Sequence, residues 1–190
     1  MRQKVQNKIR IIGGTWRSRT IKFVDAEGLR PTPNRVRETL FNWLQDDING
    51  SRCLDLYAGS GALSFEAVSR GASHVVQVEN NPLACKALKE NAIALNSTQI
   101  NSVQKDVLAY LAGKAEVFDV VFIDPPFSMN LVTQSCQLLE ENGWLADYAK
   151  IYVETENNAL LQAEIPTNWR QLKNKTAGEV RFQLFEREDR

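Results

Sequence analysis

The chain has 190 residues, of which 43% are hydrophobic, and its 23 basic side chains balance 23 acidic ones. This length fits one ordinary domain with a hydrophobic core. No apolar run is long enough to span a bilayer, and the polar segment from Met1 to Arg10 is not followed by the apolar core of a secretory signal. We therefore expect a cytoplasmic protein with no membrane partner. Three widely spaced cysteines and one histidine predict buried free thiols and no metal site.

The charge is unevenly distributed along the chain. Residues 1–43 carry ten basic and three acidic side chains, so this segment has a net charge of +7 and the rest has −7. A basic segment on an acidic body favours a polyanionic partner bound at one end of the molecule. An ordinary solvated surface is the alternative interpretation.

Two elements are predicted in the basic segment. The stretch from Lys8 to Phe23 alternates around Gly13 and Gly14, which predicts a β-hairpin that is an appendage and not part of the core. A loop rich in Pro and Arg follows, and the apolar spacing of residues 36–44 predicts a helix. We therefore divide the chain into a basic N-terminal extension, residues 1–35, and a second domain, residues 36–190.

Beyond Arg52, short β-rich runs alternate with helical segments. This alternation is typical of βαβ units in a mostly parallel sheet. Strands are predicted at 53–56, 75–78, 100–103, 119–123 and 150–154, and helices at 62–70, 82–96 and 131–140. The last two β-rich runs, 169–173 and 180–185, predict a closing antiparallel hairpin.

A glycine-rich loop, Asp55 to Gly61, follows the first strand of this sheet, where open parallel sheets bind their ligands. A dinucleotide-binding loop would have a third glycine at the position of Ser64, and the acidic Asp55 would not favour a pyrophosphate. The loop better suits a cofactor without phosphate that carries an amino acid group and a sulfonium cation, which is S-adenosylmethionine. The loop residues assigned to this cofactor are Asp55, Tyr57, Ala58, Gly59 and Gly61.

Two further strand ends supply candidate cofactor contacts. Glu79 ends the second strand 18 residues after Gly61, close to the spacing at which an acidic side chain holds ribose hydroxyls, and Asn80 is next to it. This spacing suits either adenosine cofactor. Asp106 follows the third strand and can accept from an adenine amino group, with the Val107 backbone N–H directed to the ring. A helix N-cap is the alternative interpretation of Asp106.

The fourth strand ends in Asp124-Pro125-Pro126-Phe127. Each proline biases the preceding residue toward extended backbone, so the Asp124 carboxylate and the Pro125 carbonyl are predicted to point the same way. These two acceptors can bind both N–H groups of an exocyclic base amine and turn its nitrogen toward an electrophile, while Phe127 stacks on the base. Asp124 thereby also borders the cofactor. A common Pro-rich turn is the alternative.

In this order, the acidic loop, Glu79 and the Asp124 motif resemble class I S-adenosylmethionine-dependent methyltransferases that modify exocyclic amines. The segments 10–17, 30–33 and 35–42 narrow the resemblance to the RsmD family of bacterial 16S ribosomal RNA guanine-N2 methyltransferases. The resemblance implies a Rossmann-like α/β fold with a mostly parallel seven-stranded sheet and an antiparallel last strand. Tyr57 stands where many members of the broad class have glycine, but it fits the narrower family.

The resemblance also implies a substrate and a way to bind it. The target is a guanine in 16S ribosomal RNA, presented in the small ribosomal subunit, and the enzyme is a metal-free monomer. The basic extension then docks the RNA, with Trp16 able to stack on a splayed base. The side chains assigned to RNA contact are Arg10, Arg17, Arg19, Arg30, Arg35 and Arg37, together with Trp16.

Three other functions remain open at this point. A DNA or RNA adenine-N6 methyltransferase uses the same strand-end motif, and the choice of guanine depends on the resemblance alone. A nicotinamide-dependent oxidoreductase would need the missing third glycine and a catalytic His or Tyr. A non-catalytic RNA-binding module would leave the cofactor and acceptor motifs unexplained.

Overall fold

A seven-stranded mixed sheet organises the chain in the computed structural model, which describes residues 6–24, 31–126, 129–157 and 163–188. The predicted contacts of Arg30 and Phe127 lie outside these residues. The strands are β1 (Gln6–Arg10), β2 (Thr20–Val24), β3 (Arg52–Leu56), β4 (His74–Glu79), β5 (Ile100–Gln104), β6 (Phe118–Ile123), β7 (Leu145–Glu156), β8 (Trp169–Ala177) and β9 (Val180–Arg187). The helices are α1 (Asn34–Trp43), α2 (Ala62–Ser69), α3 (Pro82–Ala94), α4 (Val107–Leu111) and α5 (Met129–Glu141).

The strand order of the main sheet is β5-β4-β3-β6-β7-β9-β8. The five strands β5, β4, β3, β6 and β7 are parallel to one another. Strand β9 runs antiparallel to both of its neighbours, β7 and β8. The predicted mostly parallel seven-stranded sheet with an antiparallel last strand is therefore confirmed. The chain runs from β3 outward to β4 and β5 and then crosses back to β6 on the other side of β3. The strand order therefore reverses at β3, and a crevice opens at the carboxyl ends of β3 and β6.

Both faces of the sheet are covered, which explains why its central strands are continuously apolar. On one face, Leu54, Val121 and Ile151 pack in a cluster that α4 and α5 complete. On the other face, Cys53 and Phe122 pack in a cluster with residues of α1 and α2. The sheet therefore provides a rigid platform whose carboxyl edge is the natural place for a site.

The N-terminal hairpin is part of the packed structure, contrary to the prediction of an appendage. Strands β1 and β2 pair with each other, and their buried residues Ile9 and Ile21 pack in a third cluster with Phe65 of α2 and Leu88 of α3. The Asn91 side chain of α3 also accepts from Lys22 N at 2.9 Å and donates to Lys22 O at 2.7 Å. The hairpin thus covers the helix that follows the glycine-rich loop.

A buried ion cluster fastens the hairpin turn to α2. The Glu66 carboxylate accepts from the backbone N–H groups of Ile12 at 2.9 Å and Gly13 at 2.8 Å. It also pairs with Arg70 at 2.8 Å and with Arg37 at 3.5 Å. The turn approaches so closely that a Cβ on Gly14 would lie 1.7 Å from the Ser69 carbonyl oxygen. Glycine is therefore required at this contact.

Arg37 was predicted to contact RNA, and the structure contradicts this prediction. Its side chain is 1% exposed because it packs between α1 and α2, where it pairs with Glu66 and donates to the Arg10 carbonyl at 3.1 Å. Burial lowers the pKa of its guanidinium, although Glu66 opposes this shift. Arg37 therefore anchors the hairpin instead of binding a ligand.

Candidate functional site

The glycine-rich loop connects β3 to α2 at the carboxyl edge of the sheet. Gly59 and Gly61 have φ values of 53° and 77°, in the left-handed region that favours glycine. A Cβ on Gly61 would lie 2.6 Å from Leu88 Cδ2 and from the Phe65 ring, so no larger residue fits. The Ala58 N–H donates to the Val78 carbonyl at 3.0 Å, which holds the loop against β4. The loop therefore presents backbone to the crevice at a fixed position.

Tyr57 begins this loop with a φ of 62°, an unfavourable conformation for a side chain other than glycine. The Tyr57 hydroxyl is hydrogen-bonded to Ser135 Oγ of α5 at 2.9 Å. The contact ties the loop after β3 to the helix that follows the Asp124 motif.

Glu79 holds the loop from the neighbouring strand end. Its carboxylate accepts from Gly59 N at 2.9 Å and from Asn81 N at 2.8 Å. Each carboxylate oxygen can accept a further hydrogen bond, so ribose hydroxyls can bind here without displacing these contacts. Asn80 is exposed beside it, and Asn81 caps α3 by accepting from Leu83 N at 2.9 Å.

Asp55 is buried beneath the loop. It is 2% exposed, and Ser64 Oγ of α2 donates to its carboxylate. Burial raises the pKa of Asp55 to about 7, although the bond from Ser64 opposes the shift. Ser64 stands at the position where a dinucleotide-binding loop would have its third glycine, and here its hydroxyl links α2 to the end of β3. The Asp55 carboxyl lies against α2, so Asp55 supports the loop from below.

Asp124 follows β6 at the same edge of the sheet. Its carboxylate is partly buried, and Thr32 Oγ1 donates to Oδ2 at 3.4 Å. Ile123 is paired with Val153 in the parallel register of β6 and β7, so Asp124 and Glu154 are the next residues along the two strands. Burial raises the pKa of Asp124 well above its ordinary value, and the charges of Glu154 and Asp55 raise it further.

Glu154 is the second carboxyl at this edge. The Tyr152 hydroxyl donates to Glu154 Oε2 at 2.8 Å. Burial raises the pKa of Glu154, and the bond from Tyr152 opposes the shift. Within the ranges that the structure describes, no ion pair involves Asp55, Asp124 or Glu154. The edge is therefore acidic and offers open hydrogen-bond acceptors.

Known proteins resemble this chain over almost its whole length. The family described as conserved hypothetical protein 95 matches residues 9–186. The ribosomal RNA small subunit methyltransferase D of Escherichia coli strain K12 is 45% identical over 182 residues, which cover 95% of this chain and 91% of that protein. The chain belongs to the RsmD family. The protein of the same name from Haemophilus influenzae is also 45% identical, over 185 residues and 95% of each chain.

A solved structure agrees with this assignment. A candidate methyltransferase of Escherichia coli superposes with a TM-score of 0.91 at 41% identity, and the match covers 97% of this chain and 100% of that chain. The RsmD-family chain is therefore a methyltransferase, and its predicted fold is confirmed. The edge with the glycine-rich loop, Glu79 and Asp124 is its candidate active site.

Asp106 of this RsmD-family chain caps a helix, as the alternative interpretation predicted. Its carboxylate accepts from Ala109 N at 2.9 Å at the start of α4. The residue is exposed and Val107 is buried. The cap leaves the second carboxylate oxygen available, so the adenine contact stays a prediction.

The predicted RNA-binding side chains lie mostly on the hairpin side. Arg10, Arg17 and Arg35 are exposed, and Arg19 is exposed while it donates to the Ala94 carbonyl at 2.9 Å. Trp16 is half-buried and packs against two core clusters, so its ring is partly used by the fold.

The sequence did not predict three residues that lie at the Asp124 end of the site. Thr32 donates to Asp124, Glu154 is the neighbouring acid, and Tyr152 donates to Glu154. Glu154 ends a predicted strand, so a correct strand order would have placed it beside Asp124. No comparable signal exists for Thr32, because a loop contact depends on tertiary structure. In the part of the chain that the structure describes, no cluster of three His, Cys, Asp or Glu side chains can hold a metal ion, and no helix is long and apolar enough to cross a membrane.

Proposed function

We propose that this protein transfers a methyl group from S-adenosylmethionine to the N2 amine of a guanine in 16S ribosomal RNA. It acts as a monomer on the small ribosomal subunit in the cytoplasm, with residues 1–35 docking the RNA and residues 36–190 forming the catalytic domain. The observation that carries the proposal is the position of Asp124, one strand away from the glycine-rich loop at the same sheet edge. Relatives of similar length are named as methyltransferases of small-subunit ribosomal RNA.

The residues of the crevice fit the proposed cofactor. The loop is packed at Gly61 against Leu88 and Phe65, so its backbone is held in place at the edge where the ligand would bind. The buried carboxylate of Glu79 suits ribose hydroxyls, and the acidic edge suits a cation better than a pyrophosphate. When bound, S-adenosylmethionine supplies a methyl group that its sulfonium already activates. The residues that would hold it are Asp55, Tyr57, Ala58, Gly59, Gly61, Glu79, Asn80, Asp106, Val107 and Asp124.

The protein's contribution to the reaction is then mostly positioning. The Asp124 carboxylate and the Pro125 carbonyl accept the two N–H groups of the amine and hold its nitrogen in line with the methyl group. After transfer, the cationic amine gives a proton to Asp124 or to water. The base must be unpaired or flipped out, at a cost of about a few kcal/mol. Stacking on Phe127 offsets roughly 1–3 kcal/mol of this cost.

RNA docking is assigned to the exposed arginines of the N-terminal segment. Arg10, Arg17, Arg19, Arg30 and Arg35 would contact phosphates, and Trp16 would contribute its exposed edge. Such contacts release counterions, so binding should weaken steeply with added salt. Arg37 is left out because it is buried.

The test is methyl transfer from radiolabelled S-adenosylmethionine to unmodified 16S ribosomal RNA or to small subunits that lack the modification. Nucleoside analysis of the product should place the label in N2-methylguanosine, and the particle should be the better substrate. Label in N6-methyladenosine would overturn the choice of base. No transfer to either substrate would overturn the proposed RNA target.

A further inference from the structure

Two carboxyls at the end of the sheet are held side by side. Asp124 and Glu154 directly follow the paired residues Ile123 and Val153 of the parallel strands β6 and β7. Neighbouring strands lie about 4.8 Å apart, and residues in register direct their side chains to the same face. The effect of the Glu154 charge on the pKa of Asp124 is a second sign of this proximity.

The orientation of Glu154 is set by its neighbour on the strand. Tyr152 lies two residues earlier and therefore on the same face, where its hydroxyl donates to Glu154 Oε2 at 2.8 Å. The Tyr152 ring is itself fully buried among Phe122 and Phe182. This bond uses one carboxylate oxygen and leaves Oε1 to accept from another donor.

Nothing in the described residues neutralises these two carboxyls. Thr32 and Tyr152 supply one hydroxyl each, and no Lys or Arg forms an ion pair with either acid. The pKa values of both carboxyls are raised because burial leaves their charges poorly solvated. Two adjacent N–H donors from a ligand would solvate both charges at once.

Guanine presents such a pair of donors, and adenine does not. In guanine, the N2 amine is next to N1–H, whereas in adenine the N6 amine is next to an N1 lone pair. We propose that Glu154 makes this enzyme selective for guanine by accepting the N1–H while Asp124 accepts from the N2 amine. The inference rests on the proposed function, and it adds a residue that reads the base.

The same arrangement disfavours adenine. If Glu154 Oε1 faced the adenine N1 lone pair, this oxygen would be left without a donor in a partly buried site, with only Oε2 bonded to Tyr152. Sites that are built to pair with a substrate N–H strongly reject an analogue that lacks it, because their polar groups then stay unpaired. Glu154 would therefore contribute to selectivity by exclusion as well as by attraction.

The test compares guanine with 2-aminopurine, which keeps the exocyclic N2 amine but has a lone pair at N1. The substrate is a small-subunit particle assembled on 16S RNA that carries either base at the position methylated in the first experiment. Single-turnover methyl transfer is measured for the wild-type protein and for Glu154→Gln. In this variant, Tyr152 donates to the amide oxygen, so the amide N–H groups face the base.

The wild-type protein should methylate guanine about 100-fold faster than 2-aminopurine, the order of one charged hydrogen bond. Glu154→Gln should lose about this factor on guanine while it keeps or gains rate on 2-aminopurine. Retained transfer to 2-aminopurine also shows that the variant is folded. An equal loss on both bases, or an unchanged ratio, would overturn the role of Glu154.

Two further variants sharpen the result. Glu156→Gln changes an exposed carboxyl two residues further along β7 and should leave the ratio unchanged. Tyr152→Phe frees the Glu154 carboxylate to rotate and should reduce the ratio by a smaller factor. If the wild-type protein methylated no guanine at all, the proposed function would fail first, and the two failures are therefore distinguishable.

Discussion

The buried acid Glu66 and the partly buried acids of the sheet edge have opposite surroundings in this protein. Glu66, which is fully buried, is compensated by Arg37, Arg70 and two backbone N–H groups from the hairpin turn. At the sheet edge, Asp124 and Glu154 each receive one hydroxyl hydrogen bond and, among the described residues, no cation. A buried charge is costly unless it is paired, so the surroundings of Glu66 are suited to stability. The surroundings of Asp124 and Glu154 are suited to a ligand that brings its own donors.

The largest effect is expected where the uncompensated acid acts. Asp124→Ala removes one of the two proposed acceptors of the amine, so we expect methyl transfer to fall by about 10³-fold or more. Single-turnover assays on the small-subunit substrate measure this loss. Cofactor binding, measured by calorimetry, should weaken far less than methyl transfer, because the glycine-rich loop and Glu79 are unchanged and Asp124 only borders the cofactor. Retained turnover in this variant would refute the orienting role.

Replacing Glu66, the acid with cationic partners, should lower the free energy of unfolding. Glu66→Gln leaves the Arg37 charge buried without its partner, and breaking a buried pair in this way costs about 3–5 kcal/mol. The free energy of unfolding is measured with denaturant. The matched control is Glu116→Gln, which breaks an exposed pair with Arg52 and should cost less than about 1 kcal/mol. Equal losses in the two variants would remove the distinction between the two environments.

Regular local patterns made most of the fold predictable. The βαβ alternation, the left-handed glycines of the loop and the Pro-Pro sequence after Asp124 each depend on a few neighbouring residues. The fate of Arg37 was not predictable, because its burial depends on a distant turn that brings Glu66 and Arg10 together. Glu154 was missed for a related reason, since only the strand order places it beside Asp124.

Asp55 is a third carboxyl without a cationic partner among the described residues, and it should make the free energy of unfolding depend on pH. Its pKa is about 7 in the folded protein and about 3.9 in an unfolded chain, so the folded state binds the extra proton between these values. Stability should therefore fall as the pH rises from about 4 to 7 and then level off. Asp55→Asn keeps an acceptor for Ser64 and should flatten this decline, with a gain of roughly 2–4 kcal/mol at pH 8. Denaturation series at several pH values measure it.

The exposed arginines should behave unlike the buried one. Truncation of the hairpin is a poor test of RNA docking, because it would uncover Phe65 and Leu88. Arg17→Ala with Arg35→Ala should instead weaken RNA binding and lower the salt dependence, by about one counterion for each lost phosphate contact, without a change in stability. Binding titrations at several salt concentrations measure both. An unchanged salt slope would argue against docking at this surface.

The smallest effect is expected at the contact between Tyr57 of the glycine-rich loop and Ser135 of α5. Tyr57→Phe keeps the ring and the left-handed backbone but removes the bond to Ser135, which should cost about 1 kcal/mol of stability. Because Ser135 belongs to the helix after the Asp124 motif, a few-fold loss in single-turnover rate with unchanged cofactor affinity is also expected. Ser135→Ala removes the same bond from the other side and serves as the matched variant. If stability fell and the rate did not, Tyr57 would only support packing. It would then not fix the distance between the glycine-rich loop and the Asp124 motif.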